Sequence, residues 1–254
     1  RIGERWGVAL LVTNLSGAAT ATGDWDLAIE ELRRELDAED DEHHQARIAA
    51  MLALKLADRG EDDPELTDSV IGYFDGQIKA GTAPLKWEAD GLHAQLALAH
   101  GHYDEAIRRA TAVATADSFN ATGAYGVVSL AALLARDLDA ARAVLDGLAR
   151  IRSHAPIVKL DRGRTQAGID ALEGRVDVAL AGFAAVLDGY RQRHAPFYVA
   201  QTGLIMCAVL DPSMPESKAA EAEAREIFEG LRARAWIDRL YEALARSAAV
   251  APAS

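Results

Sequence analysis

One six-residue string recurs four times along this 254-residue chain and limits its fold more than any other feature. Gly23-Asp24-Trp25-Asp26-Leu27-Ala28 returns as Gly101-His102-Tyr103-Asp104-Glu105-Ala106, as Arg136-Asp137-Leu138-Asp139-Ala140-Ala141 and as Gly174-Arg175-Val176-Asp177-Val178-Ala179. The shared grammar is a turn residue, any residue, an apolar residue, Asp, any residue, then Ala. The copies start 78, 35 and 38 residues apart, and the first gap is two periods of about 39, within the range of helical repeats. A fifth copy belongs near Arg59-Gly60-Glu61-Asp62-Asp63-Pro64, which keeps a turn and loses the motif.

Each position of the string has a physical task. Gly ends one helix in the left-handed conformation, and the Asp three residues on can cap or charge-complement the start of the next. Ala lets two helix backbones approach closely. Twelve residues before the four Ala stand Ser16, Ala94, Ser129 and Ala167, all small; four residues after stand Leu32, Ala110, Leu145 and Phe183, all apolar. Small against small is what a tight antiparallel helix pair requires. Pro64, Pro84, Pro156, Pro196 and Pro215 all fall where a helix would start, the one place where Pro removes no helical hydrogen bond. No sustained alternation marks a strand.

The spacing predicts helices over 4–22, 25–38, 43–58, 64–80, 85–99, 103–117, 121–135, 138–152, 157–173, 176–193, 196–210, 215–231 and 234–247. The expected fold is therefore all-α, a right-handed superhelical solenoid of about six antiparallel helix pairs closed by a C-terminal capping helix. It is expected as one domain over 1–254. In such an array each unit buries its core only against its neighbours, so the last helix must cover the open end. Trp25, at the apolar motif position, is expected to pack between helices, and Trp236 to lie in that last, covering helix.

These residues resemble tetratricopeptide repeats, whose 34-residue unit has small residues at its eighth and twentieth positions. Gly101 to Ala106 matches that pattern well; the other copies match loosely and at longer periods. The stretch from Ala224-Arg225-Glu226-Ile227-Phe228-Glu229-Gly230-Leu231 through Ala233, Trp236, Arg239 and Leu240 resembles the helical-repeat C-terminal region of bacterial multidomain signalling ATPases. Some of those carry a class III adenylate/guanylate cyclase domain; others are LuxR/STAND-type transcriptional regulators. Arg232 stands where that pattern has Gly. The resemblance implies a non-catalytic protein- or peptide-binding scaffold or sensor module for signal transduction, with the parent's chemistry elsewhere. The alternatives are a ligand-sensing segment of a transcriptional activator and a freestanding α-helical enzyme. The chain begins with Arg1, as a processed product or a piece of a longer protein would. It stops 14 residues after Leu240, which leaves no room for a DNA-binding domain and favours the cyclase-type parent.

Residues for chemistry are sparse. No phosphate loop, dinucleotide fingerprint, nucleophile elbow, HExxH or CxxC occurs, so no catalytic residue and no cofactor is expected on this chain. His93, His100, His102 and Asp104 are the nearest approach to a metal set, and scattered surface histidines are the preferred reading. Cys207, the single cysteine, lies in the longest apolar run, Leu204 to Leu210, and reads as a buried core thiol. That run is too short to span a bilayer. The apolar run Val8 to Val12 is shorter than a secretory core, so residues 4–22 read as an amphipathic helix. With no membrane segment and no disulfide, the cytoplasm is the expected location.

The net charge of −12 argues against nucleic acid as partner, although the charge is uneven. Residues 1–100 hold 9 basic and 20 acidic residues, and residues 101–200 hold 12 and 11. Two acidic runs, Asp37–Glu42 and Glu61–Glu65, are expected on neighbouring edges, as a patch for a basic partner or as solvated helix starts. The basic run Arg150, Arg152, His154, Lys159, Arg162 and Arg164 is its counterpart. Transferring the tetratricopeptide pattern places Thr13, Gln95, Leu130 and Arg164 on the concave, partner-binding side. Arg162 and Arg164 together are the candidate site for an acidic peptide or anionic ligand. Protein, peptide or another domain of the same chain is the expected partner, and the sequence leaves oligomeric state open.

Overall fold

The computed structural model describes residues 2–81, 85–116, 120–151 and 155–250. Pro84, Arg152 and His154 lie outside the described residues. Those residues form thirteen α-helices and no strand: α1 (Ile2–Thr22), α2 (Trp25–Ala38), α3 (Glu42–Arg59), α4 (Pro64–Lys79), α5 (Leu85–Ala99), α6 (Tyr103–Ala116), α7 (Ala121–Ala135), α8 (Leu138–Arg150), α9 (Pro156–Leu172), α10 (Val176–Arg191), α11 (Pro196–Val209), α12 (Pro215–Gly230) and α13 (Arg234–Val250). All thirteen helices fall where the spacing predicts them. Pro64, Pro156, Pro196 and Pro215 are the first residues of α4, α9, α11 and α12. Among the described residues, no helix is long and apolar enough to cross a membrane.

The motif turns work as their chemistry dictates. Gly23 has φ +90°, and a Cβ there would also sit 2.9 Å from Leu231 Cδ2. Arg136 takes the same left-handed turn without being Gly, at φ 61°, and its Nη1 donates to Ala208 O at 2.6 Å. The motif Ala residues 28, 106, 141 and 179 are all buried, as are the small residues Ser16, Ala94, Ser129 and Ala167 that face them across each turn. The motif Asp does not cap. Asp26, Asp104, Asp139 and Asp177 sit in the first helical turn, where their charge favours the positive end of the dipole. Where a side-chain cap is present, an acid just before the helix supplies it: Asp41 for α3, Asp63 for α4 and Asp137 for α8.

Two layers follow from these contacts. Apart from chain neighbours, the substantial contacts join odd-numbered helices: α1 with α3, α3 with α5, α5 with α7, α7 with α9 and α9 with α11. Helices α1, α3, α5, α7 and α9 form the inner layer, and the even helices that follow them in the chain form the outer one. The two acidic runs flank α3, one at each end of its 18 residues, about 27 Å apart. They do not share an edge.

The C-terminal segment does more than cover the preceding helices. α11 packs on α1, α7 and α9, and α13 packs on α3, α11 and α12. Following the chain, Leu231 meets Gly23 at the α1–α2 turn, Arg232 pairs with Asp26, and Arg234 lies against Gly60 at the α3–α4 turn. Trp236 Nε1 donates to Asp58 Oδ1 at 2.9 Å, Arg239 lies over Gly101 at the α5–α6 turn, and Arg246 donates to Leu134 O at the end of α7. The segment from 231 to 246 thus crosses four successive turns. α11 takes a similar course, with Phe197 edge-on to Trp25 at 5.0 Å and its far end at Arg136. Together they form a floor under the C-terminal ends of the inner helices. At its centre Phe228 stacks on Trp236 and Phe197 meets both rings edge-on, at 5.3–6.2 Å. Arg232, at φ 55°, takes the left-handed conformation that Gly favours, and uses its guanidinium to hold Asp26.

Candidate functional site

Above this floor the inner layer leaves a cavity of about 560 Å³, walled by α1, α3, α5 and α7. Its location follows from helix register. On α5, Trp87, Gly91 and Gln95 lie on the face toward the opening, while Ala97 and Leu98, one turn on, are buried in the cluster built around α11. On α7, Gly123 and Val127 line the space, and Leu130 to Leu134 join the same buried cluster. The C-terminal halves of the inner helices are sealed and their N-terminal portions stay open. Phe74 from α4 and Val113 from α6 close the back of the cavity.

The lining is apolar with a few neutral polar groups. Leu10 and Met51 face Leu92 and Val127, and Thr13, Asn14, Gln95 and Asn120 supply hydroxyl and amide groups. The charged lining residues are Arg47 and Glu88, which face each other at 3.6 Å and cancel. Gln95 is exposed, and its amide donates to the carbonyl of Gly91 on its own helix, at 3.4 Å. The Thr13 hydroxyl donates to Leu10 O at 2.9 Å.

The structure therefore brings Thr13 and Gln95 into one site and leaves the other expected residues outside it. Leu130 is buried below the cavity. Arg162 is exposed, whereas Arg164 is 3% exposed, because residues two apart on a helix point about 200° apart. No single ligand in the cavity reaches both. Arg164 pairs with Asp161 Oδ1 at 3.1 Å and lies over the Tyr190 ring at 5.9 Å. The Tyr190 hydroxyl donates to the same carboxylate at 2.7 Å, and burial pushes the Tyr190 phenol far above its usual range. This is an internal polar cluster tying α9 to α10 and α11.

Sequence reasoning missed Arg47, Met51 and Trp87. The turn near Gly60 has lost the motif, so α3 could not be placed in register with α1 and α5.

The remaining candidates are structural. His100 Nε2 contacts Asp62 Oδ1 at 2.8 Å, and burial lowers the His93 pKa. Among the described residues, no three His, Cys, Asp or Glu side chains converge as metal ligands would. Cys207 is fully buried, and burial pushes its thiol up to about 12. Glu39, in the first acidic run, is buried and accepts from the backbone N–H of Asp40 and Asp41. Asp41 and Asp63 cap helices. Several of these acids thus serve helix starts, as the solvated-turn reading requires.

No family profile, curated protein or solved structure matches the chain.

Proposed function

We propose that this chain is a non-catalytic binding and sensing module of a larger bacterial signalling protein, built as a right-handed, tetratricopeptide-like superhelix of antiparallel helix pairs. The observation that carries the proposal is the cavity on the inner layer. Four successive odd helices contribute to it, and it holds Thr13 and Gln95, two of the positions that tetratricopeptide proteins use for partners. Pockets of 300–1,000 Å³ with an apolar lining and a few oriented polar groups are the usual form of a ligand site. Among its described lining residues, no acid, base and nucleophile cluster as a reacting site would need. The parent is an ATPase-coupled adenylate or guanylate cyclase, the module acts in the cytoplasm, and occupancy is relayed by flexing between adjacent helix pairs. A second reading, the sensing segment of a LuxR/STAND-type activator, is favoured by one feature: the cavity is closed below, which suits a small inducer better than a long peptide.

The test is to select binders to the isolated chain from mixed peptide and small-molecule libraries and map them by hydrogen exchange. Protection is expected in the N-terminal portions of α3, α5 and α7 and in the middle of α1. Binders that protect only α8, α10 or α12 would contradict the proposal, as would turnover of ATP or GTP by the chain above a buffer blank.

A further inference from the structure

The geometry points to the chemical class of the occupant: an uncharged, largely apolar small molecule carrying a hydroxyl or carbonyl group. This rests on the reading of the cavity as the binding site, and narrows it. Shape comes first. An extended peptide needs a groove open at both ends, and here α11 and α13 seal one end. A ligand must enter and leave by the same mouth, and about 560 Å³ holds a molecule of drug-like size.

Charge comes second. Residues 1–100, which supply most of the wall, carry 9 basic and 20 acidic residues, so an anion entering there works against the field. Within the cavity Arg47 and Glu88 face each other, leaving no uncompensated charge among the described lining residues to hold an ion of either sign. What remains are the neutral groups of Thr13, Asn14 and Gln95, which suit a hydroxyl or carbonyl.

Glycines give the third observation. Gly91 and Gly123 stand inside α5 and α7 and line the cavity, and nothing lies within 4 Å of where a Cβ would be placed on either. Gly inside a helix is less stable than Ala at the same position. Some other helix-interior glycines are held by a neighbour: a Cβ on Gly203 would be 2.8 Å from Ala220 O, and one on Gly168 would be 2.5 Å from Leu133 Cδ2. Openness alone is shared by glycines such as Gly72 and Gly76. At Gly91 and Gly123, however, the open space is the cavity itself, so their missing side chains enlarge the ligand volume from two sides.

A matched pair of fluorescent probes tests this with the full chain. N-phenyl-1-naphthylamine is uncharged and apolar with one N–H, and 8-anilinonaphthalene-1-sulfonate is the same skeleton bearing a sulfonate. The uncharged probe is expected to bind at least tenfold more tightly. The double variant Gly91→Phe/Gly123→Phe should lose binding at least tenfold while keeping its helical circular dichroism and melting temperature. Equal or tighter binding of the sulfonate would overturn the class. So would uncharged-probe binding that the filled variant leaves unchanged.

Should the filled variant misfold, hydrogen exchange on the native chain decides. Probe-induced protection is expected in α3, α5 and α7, and protection confined to other helices overturns the inference. Failure of both probes to bind, with library-selected peptides still mapping to the cavity, would sink the small-molecule class and leave the binding-module reading standing.

Discussion

The upper and lower portions of the inner layer are made from the same helices and end in opposite states. Toward the C-terminal ends of α3, α5 and α7, the inner faces are dry and filled. Leu98 and Leu130 to Leu134 belong to one buried cluster with α11, and Trp236 reaches Asp58. Toward the N-terminal ends, the same faces enclose open space bordered by Trp87, Gly91 and Gly123. Local sequence does not make this difference, since both portions are rich in Ala, Leu and Val. A distant segment makes it. A helical array whose units touch only their neighbours leaves its whole concave face open. Here α11 and α13 pack across the C-terminal ends of the odd-numbered helices and leave the N-terminal side open.

The largest expected effect comes from the centre of the floor. Trp236→Ala removes packing on Phe197 and Phe228 and takes away the donor that serves Asp58, a side chain that also pairs with buried Lys55 at 2.8 Å. Loss of about 3–5 kcal/mol is expected in denaturant unfolding. If loosening is confined to the floor, hydrogen exchange will rise in α11 and α13 before it rises in α4 or α6; a uniform rise would erase the distinction between the two portions.

Next is the buried pair outside the cavity. Asp161→Ala strands the Arg164 guanidinium and should cost about 3 kcal/mol. Arg164→Met, which removes the fully buried charge and leaves the partly exposed Asp161 its Tyr190 hydroxyl, should cost less than Asp161→Ala in the same assay. A large loss from Arg164→Met would mean that this arginine does something that internal pairing does not explain.

Glycine substitution then sets the two portions against each other with one chemical change. Gly203→Ala, in the floor, forces a Cβ toward Ala220 O and Ala224 Cβ and should destabilise by about 1–3 kcal/mol. Gly91→Ala, on the cavity wall, meets nothing and should stabilise by about 0.5–1 kcal/mol through helix propensity. Melting temperatures that move in the same direction would break the comparison.

The smallest effect is electrostatic. Arg59 and Arg232 hold the Asp26 carboxyl below its ordinary 3.8, so the stability contributed by this pairing is fully present above that pH. It is lost as pH falls through the folded-state value. The site is largely exposed, so the effect should stay under about 1 kcal/mol. Melting curves of the native chain and Asp26→Asn should differ slightly at neutral pH and converge in acid; divergence in acid would reverse the sign.

Much of this was legible residue by residue. The turn motif, the small residues twelve positions before its Ala and the helix-starting prolines locate the helices and their close contacts, because those features act over one or two turns. The seal was not legible in the motif. Asp26 pairs with residues 33 and 206 positions away, and nothing in a nearest-neighbour repeat announces the second. A signal existed in α11 nonetheless: Val199 to Val209 is buried without a break. A helix apolar on every side belongs in the middle of a molecule rather than in a wall. Arg164 was misplaced because repeat position gives a face only when the register is known to within one residue.

Thiol labelling of two single-cysteine positions on α5 tests the sealed-and-open account most directly. Residues 91 and 98 are seven apart and share a helix face, and native Cys207 is silent, being buried with its thiol pushed up to about 12. Gly91→Cys, in the cavity wall, is expected to react at close to the rate of a free thiol. Leu98→Cys, against the floor, should react only as fast as the chain unfolds. Comparable rates at the two positions would show that α11 and α13 do not seal the inner face.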